Sequence, residues 1–138
     1  MIDDLVKKYP NDLKVVIKHF PLSNHKQAMK AAIYSLAAER QGKFWEMKHK
    51  IFDNYRKLRS NEALPRKYAE ELGLDMDQFD KDMKDPALEV RINKEMNQLR
   101  QSGIPRISVP KFLINGKEPK SRSLEIYSTI IDAELKKK

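Results

Sequence analysis

The chain has 138 residues, enough for one domain with one real core. Hydrophobic residues make up 40% and charged residues 35%, so it reads as a soluble, globular chain on the hydrophilic side, and no apolar run approaches membrane-spanning length. Cysteine is absent and the net charge is +8, which excludes disulfides, thiolate nucleophiles and cysteine-ligated zinc and raises the question of nucleic acid.

The opening Met1-Ile2-Asp3-Asp4-Leu5-Val6-Lys7-Lys8 lacks the basic start and apolar stretch of a signal peptide. Ile2, Leu5, Val6 and Tyr9 instead share one face of a short helix, closed by Pro10-Asn11. Leu13 to Phe20 is short and β-branched and predicts a buried strand. Pro21 stops it, having no N–H for a ladder.

Ser23 or Asn24 is the expected cap of the next helix, which is rich in alanine and ends at Gly42. Phe44, Trp45, Met47, Ile51, Phe52 and Tyr55 give the following helix most of the aromatic mass. Their spacing favours a subdomain core over a ligand pocket. After a loop at residues 61–64, Pro65 suits a first helical turn and Gly73 a C-terminal cap. Asp75 with Gln78 resembles a capping box. Asp85-Pro86 opens the longest helix, striped by Leu88, Ile92, Met96 and Leu99 and ended by Gly103.

Lys111 to Ile114 is the second expected strand, and Asn115-Gly116 a strong turn signal. Ser123 caps a last helix with Leu124, Tyr127, Ile131 and Leu135 inward. Lys136-Lys137-Lys138 ends it, where cations complement the helix dipole. Residues 23–102 are thus all helical, inserted between two strand regions.

Few residues suggest other chemistry. His19, His25 and His49 form no i, i+4 metal pair, although His19 and His25 could approach in space. Solvated or capping roles suit all three better. Glu70, Glu71, Asp75, Asp77, Asp80 and Asp82 lack calcium-loop spacing and read as caps and exposed faces. No phosphate-binding loop or nucleophile elbow is present. Met29, Met47, Met76, Met83 and Met96 read as gap-fillers, or as a peptide-docking surface where exposed. Lysine and arginine are spread along the chain among acids, so a solvated basic surface outranks nucleic-acid binding. No cofactor and no metal are implied.

Four stretches, in this order, carry a resemblance. They are Lys18-His19-Phe20-Pro21-Leu22, Gln41-Gly42-Lys43-Phe44-Trp45-Glu46-Met47, Tyr68 to Asp75, and Val109-Pro110 with Phe112-Leu113-Ile114-Asn115-Gly116. The ordered set resembles the DsbA-like family of thiol–disulfide oxidoreductases and covers nearly the whole chain. The resemblance implies a single α/β thioredoxin-like domain over 1–138 with a helical insertion, mostly helical by content. It implies protein or peptide substrates and a periplasmic or extracytoplasmic setting. It also implies a cis bond before Pro110, with Val109 pairing its main chain with substrate beside Ser108.

Family members begin with a strand leading into a Cys-x-x-Cys. Here Ile2 to Tyr9 resembles the second half of the helix that should carry those cysteines. The chain is therefore expected to be truncated at its N-terminus, without the central strand. Disulfide exchange needs a thiolate, which serine and lysine cannot replace, so this chain by itself is expected to be inactive. Without a central strand, the two expected strands have unpaired edges, which invite strand exchange or a homo-oligomer. The other expectations to test are a redox-dead peptide-binding module and, less favoured, a basic nucleic-acid-binding domain.

Overall fold

The computed structural model describes residues 1–137 and contains seven α-helices among them. These are α1 (Ile2–Lys8), α2 (Ala28–Glu39), α3 (Phe44–Asp53), α4 (Leu64–Glu71), α5 (Met76–Asp82), α6 (Pro86–Arg100) and α7 (Leu124–Leu135). A 3-10 turn at Lys57–Arg59, not foreseen from sequence, buries Leu58. The backbone forms two compact units: Met1–Ile17 with the chain from Pro105 onward, and Lys18–Ile104.

The larger unit is helical. Its centre is α2, which packs against α3, α4, α5 and α6. Ala32, Ala37 and Ala38 are buried on α2, and their small side chains allow that many neighbours. Phe79, Leu36, Met47 and Ile92 are fully buried around it. Helix ends follow side-chain chemistry. Gln78 N–H donates to Asp75 Oδ1 at 3.0 Å, and Ala87 N–H to Asp85 Oδ1 at 2.9 Å. Gly73, with φ of +71°, closes α4 as a Schellman cap: its N–H donates to Glu70 O and that of Leu74 to Ala69 O. The expected cap of α2 is corrected. Ser23 and Asn24 lie in a turn before the helix, whose N-cap is Gln27 with no side-chain cap bond.

The smaller unit holds α1 and α7 around Leu5, Tyr9, Tyr127 and Ile131. Tyr9 Oη donates to Asp132 Oδ1 at 2.7 Å, tying the end of α1 to α7. Ser123 Oγ caps α7 by accepting from Ile126 N–H at 3.2 Å. Tyr127 and Ile131 are buried as expected, but Leu124, in the first turn, is exposed. Lys136 and Lys137 follow α7 as expected; Lys138 lies outside the described residues.

The two expected strands are not strands among the described residues, where the only β pairing is one isolated bridge, Ile114 to Lys117. Leu13 to Ile17 keeps the alternation of a strand, with Leu13, Val15 and Ile17 half-buried and Lys14 and Val16 exposed. The side chains thus take strand positions while the main chain has no ladder. A strand exists only through bonds to a neighbour, and no neighbouring strand lies beside either segment among the described residues.

Candidate functional site

The segment around Pro110 is held from its C-terminal side. Phe112 packs edge-on against Tyr127, with ring centroids 5.8 Å apart, and Ile114 packs on the same cluster. The Arg122 guanidinium lies 5.8 Å from the other ring of that pair, Phe112. Lys111 Nζ donates to Glu118 Oε1 at 2.7 Å. Asn115-Gly116 then reverses the chain, with φ of +47° and +81°, as a type I′ hairpin turn requires. Ile114 and Lys117 exchange both backbone hydrogen bonds across it, at 2.9 and 3.0 Å.

The Val109–Pro110 peptide bond is cis. Ser108 and Pro110 are exposed, and Val109 is half-buried. From Pro105 to Leu113 no main-chain group takes part in a backbone hydrogen bond among the described residues. The same holds for Lys14 to Ile17 in the same unit. Phe112 within the first stretch, and Ile114 and Leu13 at the ends of the two, pack on one helical cluster. The N–H and C=O groups of the two stretches make no backbone hydrogen bond within the chain among the described residues. Tyr127 Oη is buried with no hydrogen-bond partner, and burial pushes its pKa up. Nothing here is a nucleophile for disulfide exchange, because the chain has no cysteine.

A second polar cluster, in the helical unit, was not singled out from sequence. His19 Nδ1 lies 2.8 Å from Glu95 Oε2, and His19 Nε2 lies 3.0 Å from Ser35 Oγ. The His19 N–H also donates to Glu95 Oε2 at 2.6 Å, and Arg91 Nε donates to Glu95 Oε1 at 3.1 Å. The order of groups resembles a nucleophile–base–acid line. Yet Ser35 is buried within α2 and donates to Ala32 O at 2.8 Å, so it presents no hydroxyl to a substrate. The cluster clamps the residue His19 to α6. Its sequence signal was a charged pair, Arg91 and Glu95, beside the apolar stripe of that helix.

The remaining candidates find structural partners. Arg66 takes Asp80 bidentately, at 2.9 and 2.7 Å, and Glu70 at 2.7 Å. Those bonds hold the Asp80 carboxyl below its ordinary range. Asp82 is buried and accepts from Arg40 at 2.6 Å. Lys50 pairs with Glu71 at 2.6 Å. Met29, Met76 and Met83 pack on the core that buries Met47 and Met96, so they form no docking surface. His25 is exposed in a turn, and the His49 ring lies tilted against Trp45, with centroids 6.5 Å apart. Among the described residues no group of three histidines and acids is placed to hold a metal ion, and no helix is long and apolar enough to cross a membrane. The aromatic core expected on α3 is a correction: Phe44 is half-buried, whereas Trp45, Phe52 and Tyr55 are exposed. Met47 and Ile51 take the inward face instead.

The class of domain is shown by comparison with known families. The family model described as thioredoxin matches residues 2–133, and the chain belongs to that family. Among curated proteins it is similar to the Na(+)/H(+) antiporter NhaA 1 of Mycolicibacterium vanbaalenii, 42% identical over 84 residues, which are 60% of this chain and 13% of that protein. It is 33% identical to the Na(+)/H(+) antiporter NhaA 1 of Mycobacterium sp. (strain KMS) over 86% of this chain and 19% of that protein. It is 32% identical to the Na(+)/H(+) antiporter NhaA of Herminiimonas arsenicoxydans over 83% of this chain and 18% of that protein. The chain spans less than a fifth of the length of these relatives. No solved structure matches it.

Proposed function

We propose that this chain is the peptide-docking part of a DsbA-like thiol–disulfide oxidoreductase, with the cysteine pair supplied from outside the chain. The observation that carries the reading is the main chain left without backbone hydrogen bonds on both sides of Val109-Pro110 and along Lys14 to Ile17. An extended peptide pairs with such an edge by main-chain bonds, and alternate side chains give it specificity. Membership of the thioredoxin family supports the same reading. Ser108, Val109 and Pro110 are its substrate-binding residues, and an extracytoplasmic compartment is its proposed setting.

With no cysteine, the chain itself transfers no electrons. Purified chain should leave insulin disulfides unreduced above the rate of a thiol reductant alone, and turnover above that rate would overturn the reading. A labelled extended peptide should bind the chain, and Pro110→Ala should weaken that binding by about tenfold. An unchanged affinity would remove these residues from the site. An in-frame Cys-x-x-Cys in the coding sequence upstream of Met1 distinguishes an oxidoreductase from a redox-dead binding module. The same free edges can accept a strand from a second copy; a mass near twice that of the monomer in light scattering is the expected sign.

A further inference from the structure

α3 has two apolar faces. Met47 and Ile51 point into the helical unit, and its outer stripe would ordinarily be polar. Here that stripe carries Trp45, His49 and Phe52 at spacings of four and three, and Tyr55 continues it in the following turn. Trp45 is 38%, Phe52 67% and Tyr55 56% exposed.

Cations sit between these rings. Lys48 Nζ lies 4.8 Å from the Trp45 ring centroid, and the Arg56 guanidinium 5.6 Å from that of Tyr55. Arg56 Nε also donates to Tyr55 Oη at 3.0 Å. Lys57 and Arg59 follow in the 3-10 turn. Nearby, Lys43 is neutralised by Glu46 at 2.9 Å and Lys50 by Glu71 at 2.6 Å. Lys48, Arg56, Lys57 and Arg59 make no ion pair among the described residues, and Asp53 is the one carboxylate lining the open depression at the end of α3. The face is thus both aromatic and positively charged.

We propose that this face of α3 and its following turn docks on an anionic phospholipid bilayer. Trp45, Phe52 and Tyr55 enter the headgroup layer, while Lys48, Arg56, Lys57 and Arg59 meet lipid phosphates. Amphipathic rings favour that layer, and basic residues near them add attraction to anionic lipid. A planar anionic surface satisfies rings and cations together. An acidic peptide would need a recess to cover the rings, and the depression at residues 53–57 is open. The inference rests on α3 and the turn that follows it, and is independent of peptide docking at Val109-Pro110.

Trp45 is the chain's single tryptophan, so its emission reports this face directly. Full-length chain should shift its emission to shorter wavelength with vesicles of phosphatidylcholine containing about 30% phosphatidylglycerol at low salt. Brominated acyl chains should quench that emission, and vesicles of phosphatidylcholine alone should leave it nearly unchanged. Phe52→Ser with Tyr55→Ser should lower the partition coefficient about tenfold. Lys48→Gln and Arg56→Gln should lower it about fivefold each. Phe52, Tyr55 and Arg56 are exposed and Lys48 is half-buried, and an unchanged far-UV circular dichroism spectrum checks that the variants fold. Unchanged emission with the anionic vesicles would overturn the proposal. So would binding that the double aromatic substitution leaves intact, since the net charge of +8 would then explain it.

Discussion

Glu95 is a carboxylate beside an otherwise apolar stripe, with a side chain only 10% exposed. Burial opposes its charge, but the His19 N–H, the His19 ring and Arg91 outweigh that and hold its pKa below the ordinary carboxylate range. A carboxyl whose folded pKa is depressed stabilises the fold above its unfolded pKa. That contribution disappears as pH falls through the acid range to the folded value. Glu95→Gln should therefore cost about 3 kcal/mol near neutral pH and much less in acid strong enough to protonate Glu95 in the folded chain, as read by urea unfolding across pH. An equal loss at both pH values would assign the effect to packing. In the sequence His19 was legible as part of a family motif at the end of an apolar run, with nothing to show what it would bond. Its partners lie 16 and 76 residues away, a separation that no local pattern encodes.

At the scale of elements, local signals worked where the physics is local. Asp75, Asp85 and Ser123 cap the helices they precede, because the orphan N–H groups of a first turn lie within reach of that side chain. Asn115-Gly116 forms the turn it signals, because both residues accept positive φ. Gly116→Ala should cost about 1 kcal/mol through φ of +81° alone, since a Cβ there meets open space. Thermal unfolding measures it; a neutral change would show that the hairpin contributes no stability. Strands depend on non-local bonds, and here periodicity misled. Leu13 to Ile17 has a strand's alternation without a ladder, so the amides of Lys14 to Ile17 should exchange hydrogen within the dead time, while those of α2 are protected. Slow exchange at Val15 or Val16 would reveal a pairing partner. Likewise the aromatic spacing on α3 showed that Trp45 and Phe52 share a face, but spacing alone assigned that face to the core.

At the scale of the whole molecule, two buried clusters of unequal size replace the single core expected from length. The helical unit buries the larger set, around Leu36, Met47, Phe79 and Ile92, whereas the other rests on Leu5, Tyr9, Tyr127 and Ile131. Amides of α1 and α7 should therefore become exchangeable at lower denaturant than those of α2 and α6. Coincident exchange of both sets would mean a single cooperative unit. Met47→Ala should cost about 3 kcal/mol in the helical unit, because the side chain is fully buried among fixed neighbours.

The ordered motifs, by their resemblance to a known family, were enough to indicate a thioredoxin-like chain, composition showed it to lack cysteine, and residues 2–133 do belong to that family. All of these depend on residue type and short-range spacing, which are properties of the chain itself. Tertiary structure alone decided that the expected strands stay unpaired, that Glu95 and Ser35 enclose His19, and that Trp45, Phe52 and Tyr55 face outward beside Lys48 and Arg56. Each outcome depends on which distant residue occupies the facing space. Periodicity shows which side chains lie together, and only packing shows whether that face meets protein or solvent.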